Sequence, residues 1–160
     1  MNLRLLTLLL LATTLLLSTL GCSKKEDPDA KVTYGTGSYA LDGGSPVNCQ
    51  VSASTSSRST AGQQYDYLLV TLQTASQPTT GAVVRLEFGK PAGQPSTAYT
   101  LASLLYFTNS SLSVGRLYSN NTAATLTETS KGVFAGTFSG TDFSTPNSTI
   151  TLGTFTDVRL

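Results

Sequence analysis

The 160-residue sequence predicts an all-β fold: a single antiparallel β-sandwich or barrel-like domain of about nine strands, preceded by a helical N-terminal leader. Three observations predict it. From Val32 onward, short segments rich in Val, Thr, Tyr and Phe alternate with clusters of Gly, Pro, Asn and Ser, the punctuation of strands and turns. Several of these segments alternate apolar and polar residues with the period of two that sets one strand face on a core. No stretch of the domain repeats apolar residues at the spacing of an amphipathic helix.

The elements follow in order. Met1 to Arg4 give a short positive start, and residues 5–17 form a Leu-rich run. As a helix that run reaches roughly 20 Å at about 1.5 Å per residue. A hydrocarbon core is about 30 Å thick, so a cleaved signal peptide is favoured over a membrane span. Cys22 stands directly after Ser18-Thr19-Leu20-Gly21, and Ser23-Lys24-Lys25-Glu26-Asp27-Pro28-Asp29-Ala30 after it is charged and has nothing to bury. The chain therefore divides into a signal peptide, 1–21, a flexible tether, 22–31, and an all-β domain, 32–160.

Within the domain, residues 35–41 lead into the tight-turn signal Asp42-Gly43-Gly44 and a second strand over 46–54. Residues 55–64 are polar and read as a mobile loop. Residues 65–72 read as a strand covered on both faces. In 82–88, Val84, Leu86 and Phe88 share one face, with Arg85 and Glu87 on the other. Pro91, Gly93 and Pro95 mark a connection over 90–96. Residues 97–107 read either as one strand or as a strand followed by a helical turn at 101–105. Residues 112–118 and 123–128 read as a hairpin around Asn120-Asn121. Residues 132–140 place Phe134 and Phe138 on one face with Gly136 between them, and 148–160 form a last strand, bent or bulged at Gly153. Phe134, Phe138 and Phe155 are core candidates.

Gly21-Cys22 after a short apolar run resembles a bacterial lipobox, with Thr19 and Leu20 departing from its usual residues. The tether resembles the Ser/Lys/acidic export tag of surface lipoproteins of Bacteroidota. Gly136-Thr137-Phe138-Ser139-Gly140, followed by Gly153-Thr154-Phe155, is similar to the ending of small uncharacterised lipoproteins of that phylum. The resemblance covers the leader, the tether and about thirty C-terminal residues. It implies diacylglyceryl and N-acyl modification of Cys22 and an exported, outer-membrane, surface-facing β-domain. An acyl chain contributes about 0.8 kcal/mol per buried methylene, and several chains together give a durable anchor.

Composition narrows the chemistry. Net charge is +1, and the scattered Arg85, Lys90, Arg116 and Lys131 make no basic stripe, which argues against nucleic acid as a partner. The chain has no His, which removes the usual base for a Ser or Cys nucleophile and the commonest transition-metal ligand. No cofactor, metal site or catalytic residue is expected. Cys49 reads as a buried structural thiol. Asp42, Asp66, Glu87, Glu128, Asp142 and Asp157 show no spacing that pairs two carboxylates across a cleft; Asp42 and Asp142 read as turn residues, and Glu87 as solvent-facing or paired with Arg85 or Arg116. Tyr65, Tyr67 and Tyr99 are the candidate ligand-binding residues, because exposed rings stack on sugars, although tyrosine is also an ordinary strand residue. The expected function is a non-catalytic interaction or structural module, anchored to a membrane by lipid, with a protein or a glycan as partner. The alternative is a glycan- or small-ligand-binding lipoprotein, built as a lipocalin-like barrel or a Tyr-lined sandwich.

Overall fold

A computed structural model describes residues 34–77, 80–145 and 147–160; the expected signal peptide, Cys22 and the tether lie outside the described residues. Eight strands follow one another: β1 (Gly35–Leu41), β2 (Val47–Thr60), β3 (Gln63–Thr74), β4 (Val83–Pro91), β5 (Thr100–Phe107), β6 (Gly115–Ser130), β7 (Val133–Asp142) and β8 (Thr149–Arg159). A short 3-10 helix, Ser96–Ala98, precedes β5. Each strand pairs antiparallel with the next, and β1 pairs with β8 through Gly37 and Phe155, which closes the sheet into a barrel. The sandwich reading gives way to an up-and-down barrel, in which closure removes the free sheet edges of an open fold.

The period-two pattern decides which side chains enter the barrel. On β3, Leu68, Val70 and Leu72 alternate with Leu69 and Thr71, and their register partners Phe88, Leu86 and Val84 are the apolar set of β4. Val51, Leu104, Tyr118, Phe138, Ile150, Phe155 and Val158 complete a core buried to within a few per cent of full enclosure. An eight-stranded barrel is just wide enough for such side chains to fill. Each of these large apolar groups contributes about 1.5–3 kcal/mol on leaving water. Crowding is relieved by glycine. The Phe155 ring lies against Gly136 and the Phe138 ring against Gly153, with the two ring centroids 6.5 Å apart.

Three sequence expectations need correction. The two expected hairpin strands, 112–118 and 123–128, merge into one strand, β6, which begins only at Gly115 and pairs with β7 from Tyr118 to Ser130. Asn120-Asn121 marks a bulge within it, with Asn121 at φ 48°, and the nine expected strands become eight. Residues 55–64 are not a loop: β2 and β3 stay paired to Thr60 and Gln63, joined by Ala61-Gly62 at φ 50° and 81°. Two positive φ values in succession are those of a two-residue hairpin turn. In 97–107 the helical turn comes before the strand, because Leu101 and Ser103 to Leu105 pair with β4. At Asp42-Gly43 the expected tight turn is present, with φ 53° and 73°.

Candidate functional site

Tyr65 and Tyr67 face outward from β3, at the positions that alternate with the core residues. Tyr65 lies opposite Arg58 on β2, and Tyr67 opposite Gly89 on β4. The Arg58 guanidinium sits 4.5 Å from the centre of the Tyr67 ring and donates to both carboxylate oxygens of Glu87, each at 3.0 Å. The Tyr67 ring also covers Gly89, where an added methyl group would meet it at 3.0 Å. Tyr67 is therefore sandwiched within its own wall. Glu87, expected to face solvent or to pair with Arg85 or Arg116, lies on the outer face but takes Arg58 as its partner. The sequence hides this pair because the β2–β3–β4 register aligns residues 29 positions apart.

Tyr99 is elsewhere. It follows the 3-10 helix at one end of the barrel, 5.3 Å from the Lys90 ammonium. Lys90 and Asp66 are register partners continuing the inward rows of β4 and β3, and Lys90 donates to Asp66 Oδ2 at 2.9 Å. Ser57 donates to Asp66 Oδ1 at 2.9 Å. The Lys90 side chain is 10% exposed and that of Asp66 32%. A recess of about 500 Å³ beside them is lined by Thr55, Ser56, Ser57, Asp66 and Tyr99. The barrel wall thus separates Tyr99 from Tyr65 and Tyr67, and the three do not form one platform.

The hydrogen bond from Lys90, and next that from Ser57, hold the Asp66 carboxyl below its ordinary range. A carboxylate with a depressed folded pKa adds stability above its unfolded value, about 3.9, and loses it as pH falls through the folded value. Asp66→Asn is therefore expected to lower the urea midpoint at pH 7, where it leaves the Lys90 ammonium without its counter-ion. The gap to the parent protein should narrow as pH drops below about 4. A gap that is unchanged at pH 3 would contradict this role.

The opposite end of the barrel holds an aromatic cluster that the sequence reading passed over. Tyr106 packs edge-on against Tyr39 at 6.3 Å and against Tyr118 at 6.4 Å between ring centroids. The Tyr118 hydroxyl shares a buried hydrogen bond of 2.8 Å with Ser148. Asp142, expected in a turn, is the last residue of β7 and wholly buried; its Oδ1 accepts from the Ser144 amide at 2.8 Å and the Ser144 hydroxyl at 3.0 Å. Burial pushes its pKa up, but the Ser144 bonds, the Thr145 amide and the Arg116 charge together outweigh burial and leave it lowered. Even spacing with Phe134, Gly136, Phe138 and Gly140 is the signal that would have placed Asp142 inward.

Cys49 is a free, buried thiol, and burial pushes its pKa up to about 11 from 9.0. A raised thiol pKa adds stability that is complete below the unfolded value and lost as pH rises through the folded one. Melting temperature is thus expected to fall between pH 9 and 11. In Cys49→Ala, part of that slope should vanish; an unchanged slope would assign it to the buried tyrosines alone.

The wall itself has one weak line. β5 and β6 are joined only by the pairs Leu105–Leu117, Tyr106–Arg116 and Phe107–Gly115, whereas β2 and β3 share twelve. Beyond Leu105 that register ends, and a recess of about 530 Å³ lies along the two strands. Residues 101–104 of β5 line one side, and Tyr118, Ser119, Thr122, Ala123 and Ala124 of β6 line the other. The cause is local. The β4–β5 register shifts at Glu87/Phe88, which leaves Ala102 without a register partner on β4, and β6 shifts its register with β7 twice between Tyr118 and Ala123. The β5–β6 register stops where these shifts fall. Comparison of the chain with family models, with curated proteins and with solved structures finds no match to any of them.

Proposed function

We propose that the barrel is a non-catalytic interaction module, tethered by a lipid-modified Cys22 to the outer membrane and facing the cell exterior. The observation that carries this reading is the filled interior: the space an eight-stranded barrel encloses is occupied by the protein's own Leu, Val, Tyr and Phe side chains. Contact with a partner then falls to the outer wall and the barrel ends. Five of the six domain carboxylates support the same reading, because they are engaged in structural bonds: Asp66 with Lys90, Glu87 with Arg58, Asp142 with Ser144, and Asp42 and Glu128 with the amides of Thr149 and Gly132. A glycan- or small-ligand-binding role is the second reading. Its support is the hydroxyl-lined recess beside Tyr99.

Two measurements test the proposal. Cys22→Ala is expected to abolish acyl labelling and release the protein from the membrane fraction; unchanged retention would contradict the anchor. A thermal-shift screen of the full chain in detergent, against neutral oligosaccharides and fatty acids, is expected to give no stabilising ligand. An oligosaccharide shift lost in Tyr99→Ala would instead establish the second reading.

A further inference from the structure

We propose that the barrel corner formed by the β5–β6 and β7–β8 connections is a second membrane contact, lying on the phospholipid surface that holds the anchor. The inference rests on the reading of an interaction module with a lipid-modified Cys22, and it names the surface and the chemistry of its partner. Three observations carry it. The first is where the exposed apolar side chains fall. Seven large apolar residues are exposed among those described, and four of them, Leu112, Val114, Leu117 and Phe143, gather at this one corner. Val114 is 75% exposed and Phe143 67%. The Phe143 amide donates to the Leu117 carbonyl at 2.9 Å, and Leu105 pairs with Leu117 on its other side. Single exposed apolar residues need no account, but a gathered patch marks a contact surface.

The second observation is the charge beside the patch. Arg85 heads the row Arg85, Leu105, Leu117 across β4, β5 and β6, and Arg116 adjoins Leu117 in sequence. Neither makes an ion pair among the described residues, whereas Arg58 and Lys90 each hold a carboxylate. At this end of the barrel, Asp142 is bonded to Ser144 and Asp42 to the Thr149 amide. Guanidinium groups next to apolar side chains suit a phospholipid surface, where phosphates take the cations and the acyl boundary takes the apolar groups. The third observation is reach. The corner lies at the end of the barrel opposite Tyr34, and Tyr34 comes twelve residues after Cys22. Such a chain length spans up to about 40 Å. The eleven residues of β8 rise about 36 Å, so an anchor at Cys22 does not hold the far end off the bilayer. The anchor also supplies the bilayer at high effective concentration, so four side chains suffice where a free protein partner would demand a larger surface.

The chain has no Trp, so a single introduced Trp reports its own surroundings. The test places the acylated protein in vesicles of phosphatidylcholine and phosphatidylglycerol and compares Phe143→Trp with Leu160→Trp. Phe143→Trp is expected to emit at shorter wavelength, to be quenched by lipid brominated on its acyl chains, and to be spared by aqueous iodide. Leu160→Trp, at the other end of the barrel and 60% exposed, should show the reverse. Combined with Phe143→Trp, the exposed changes Val114→Asp and Arg116→Gln should each cut the lipid quenching, with circular dichroism showing both folded. The proposal is overturned if Phe143→Trp stays open to iodide, if Leu160→Trp is the one quenched by lipid, or if neither added change reduces the quenching. Shielding from iodide without quenching by lipid would assign the corner to a second copy of the chain and equally overturn it. Absence of the acyl label would overturn the anchor and this contact together, whereas an acylated protein with Phe143→Trp in water loses only the contact.

Discussion

Phe155→Ala is expected to destabilise the barrel by about 3–5 kcal/mol. Phe155 is 1% exposed, pairs its strand to Gly37 of β1 at the closure, and packs its ring against Gly136 and Phe138. Removing the ring opens a cavity where β1, β7 and β8 meet. Two neighbours there are glycines, which have no side chain to collapse into it. Domains of this size have about 5–15 kcal/mol of total stability, so the variant is expected to melt roughly 10–20 °C lower. Urea unfolding followed by far-ultraviolet circular dichroism measures this directly. A loss under about 1 kcal/mol would mean that Phe155 is not enclosed as described.

Gly136→Ala tests the same contact from the opposite side. A methyl group at Gly136 would run into the backbone oxygen of Thr125 on β6 and lie 2.5 Å from the Phe155 ring. The oxygen belongs to the β6–β7 ladder and cannot retreat without breaking it. Overpacking of this kind costs about 1–3 kcal/mol, and the backbone clash places this site at the upper end. Gly43→Ala is the contrast. It meets open space, and only its φ of 73° resists the substitution, at a cost of about 1 kcal/mol. The two variants compared by urea midpoint should differ clearly, with Gly136→Ala the less stable. Equal midpoints would contradict the close approach of Phe155 to the β7 backbone.

Much of the fold was legible in particular residues. The row Val84, Leu86, Phe88 and the pair Phe134, Phe138 announce their strands and their inward faces, because a half-buried strand must alternate. Closure was not legible. A sandwich and a barrel demand the same alternation, and the pairing of Gly37 with Phe155 joins residues 118 positions apart, for which the sequence carries no local signal. Asn120-Asn121 misled because the residues that form a hairpin turn also form a bulge; only the continuous pairing of β6 with β7 decides between them. Of the candidate site, the sequence marks Tyr65 and Tyr67 as exposed rings, but does not show that the Arg58 guanidinium takes one face of Tyr67. Asp66 and Lys90 were readable as inward charges from their even spacing with Leu68 and Phe88, and reading the rows one residue further would have found the pair. The short β5–β6 register was beyond the sequence, since it stops where register shifts on neighbouring strands fall together.

Amide hydrogen exchange, resolved by residue in the full chain, tests the central claim most directly. A filled barrel closed at β1–β8, with its shortest register between β5 and β6, predicts slow exchange along the pairing of Gly37 with Phe155 and along the long β2–β3 ladder. Some amides of residues 101–104 and 119–124, where the β5–β6 register has ended, should exchange faster although they lie in strands. Uniformly slow exchange across β5 and β6 would contradict the short register, and fast exchange along β1 and β8 would contradict the closed barrel.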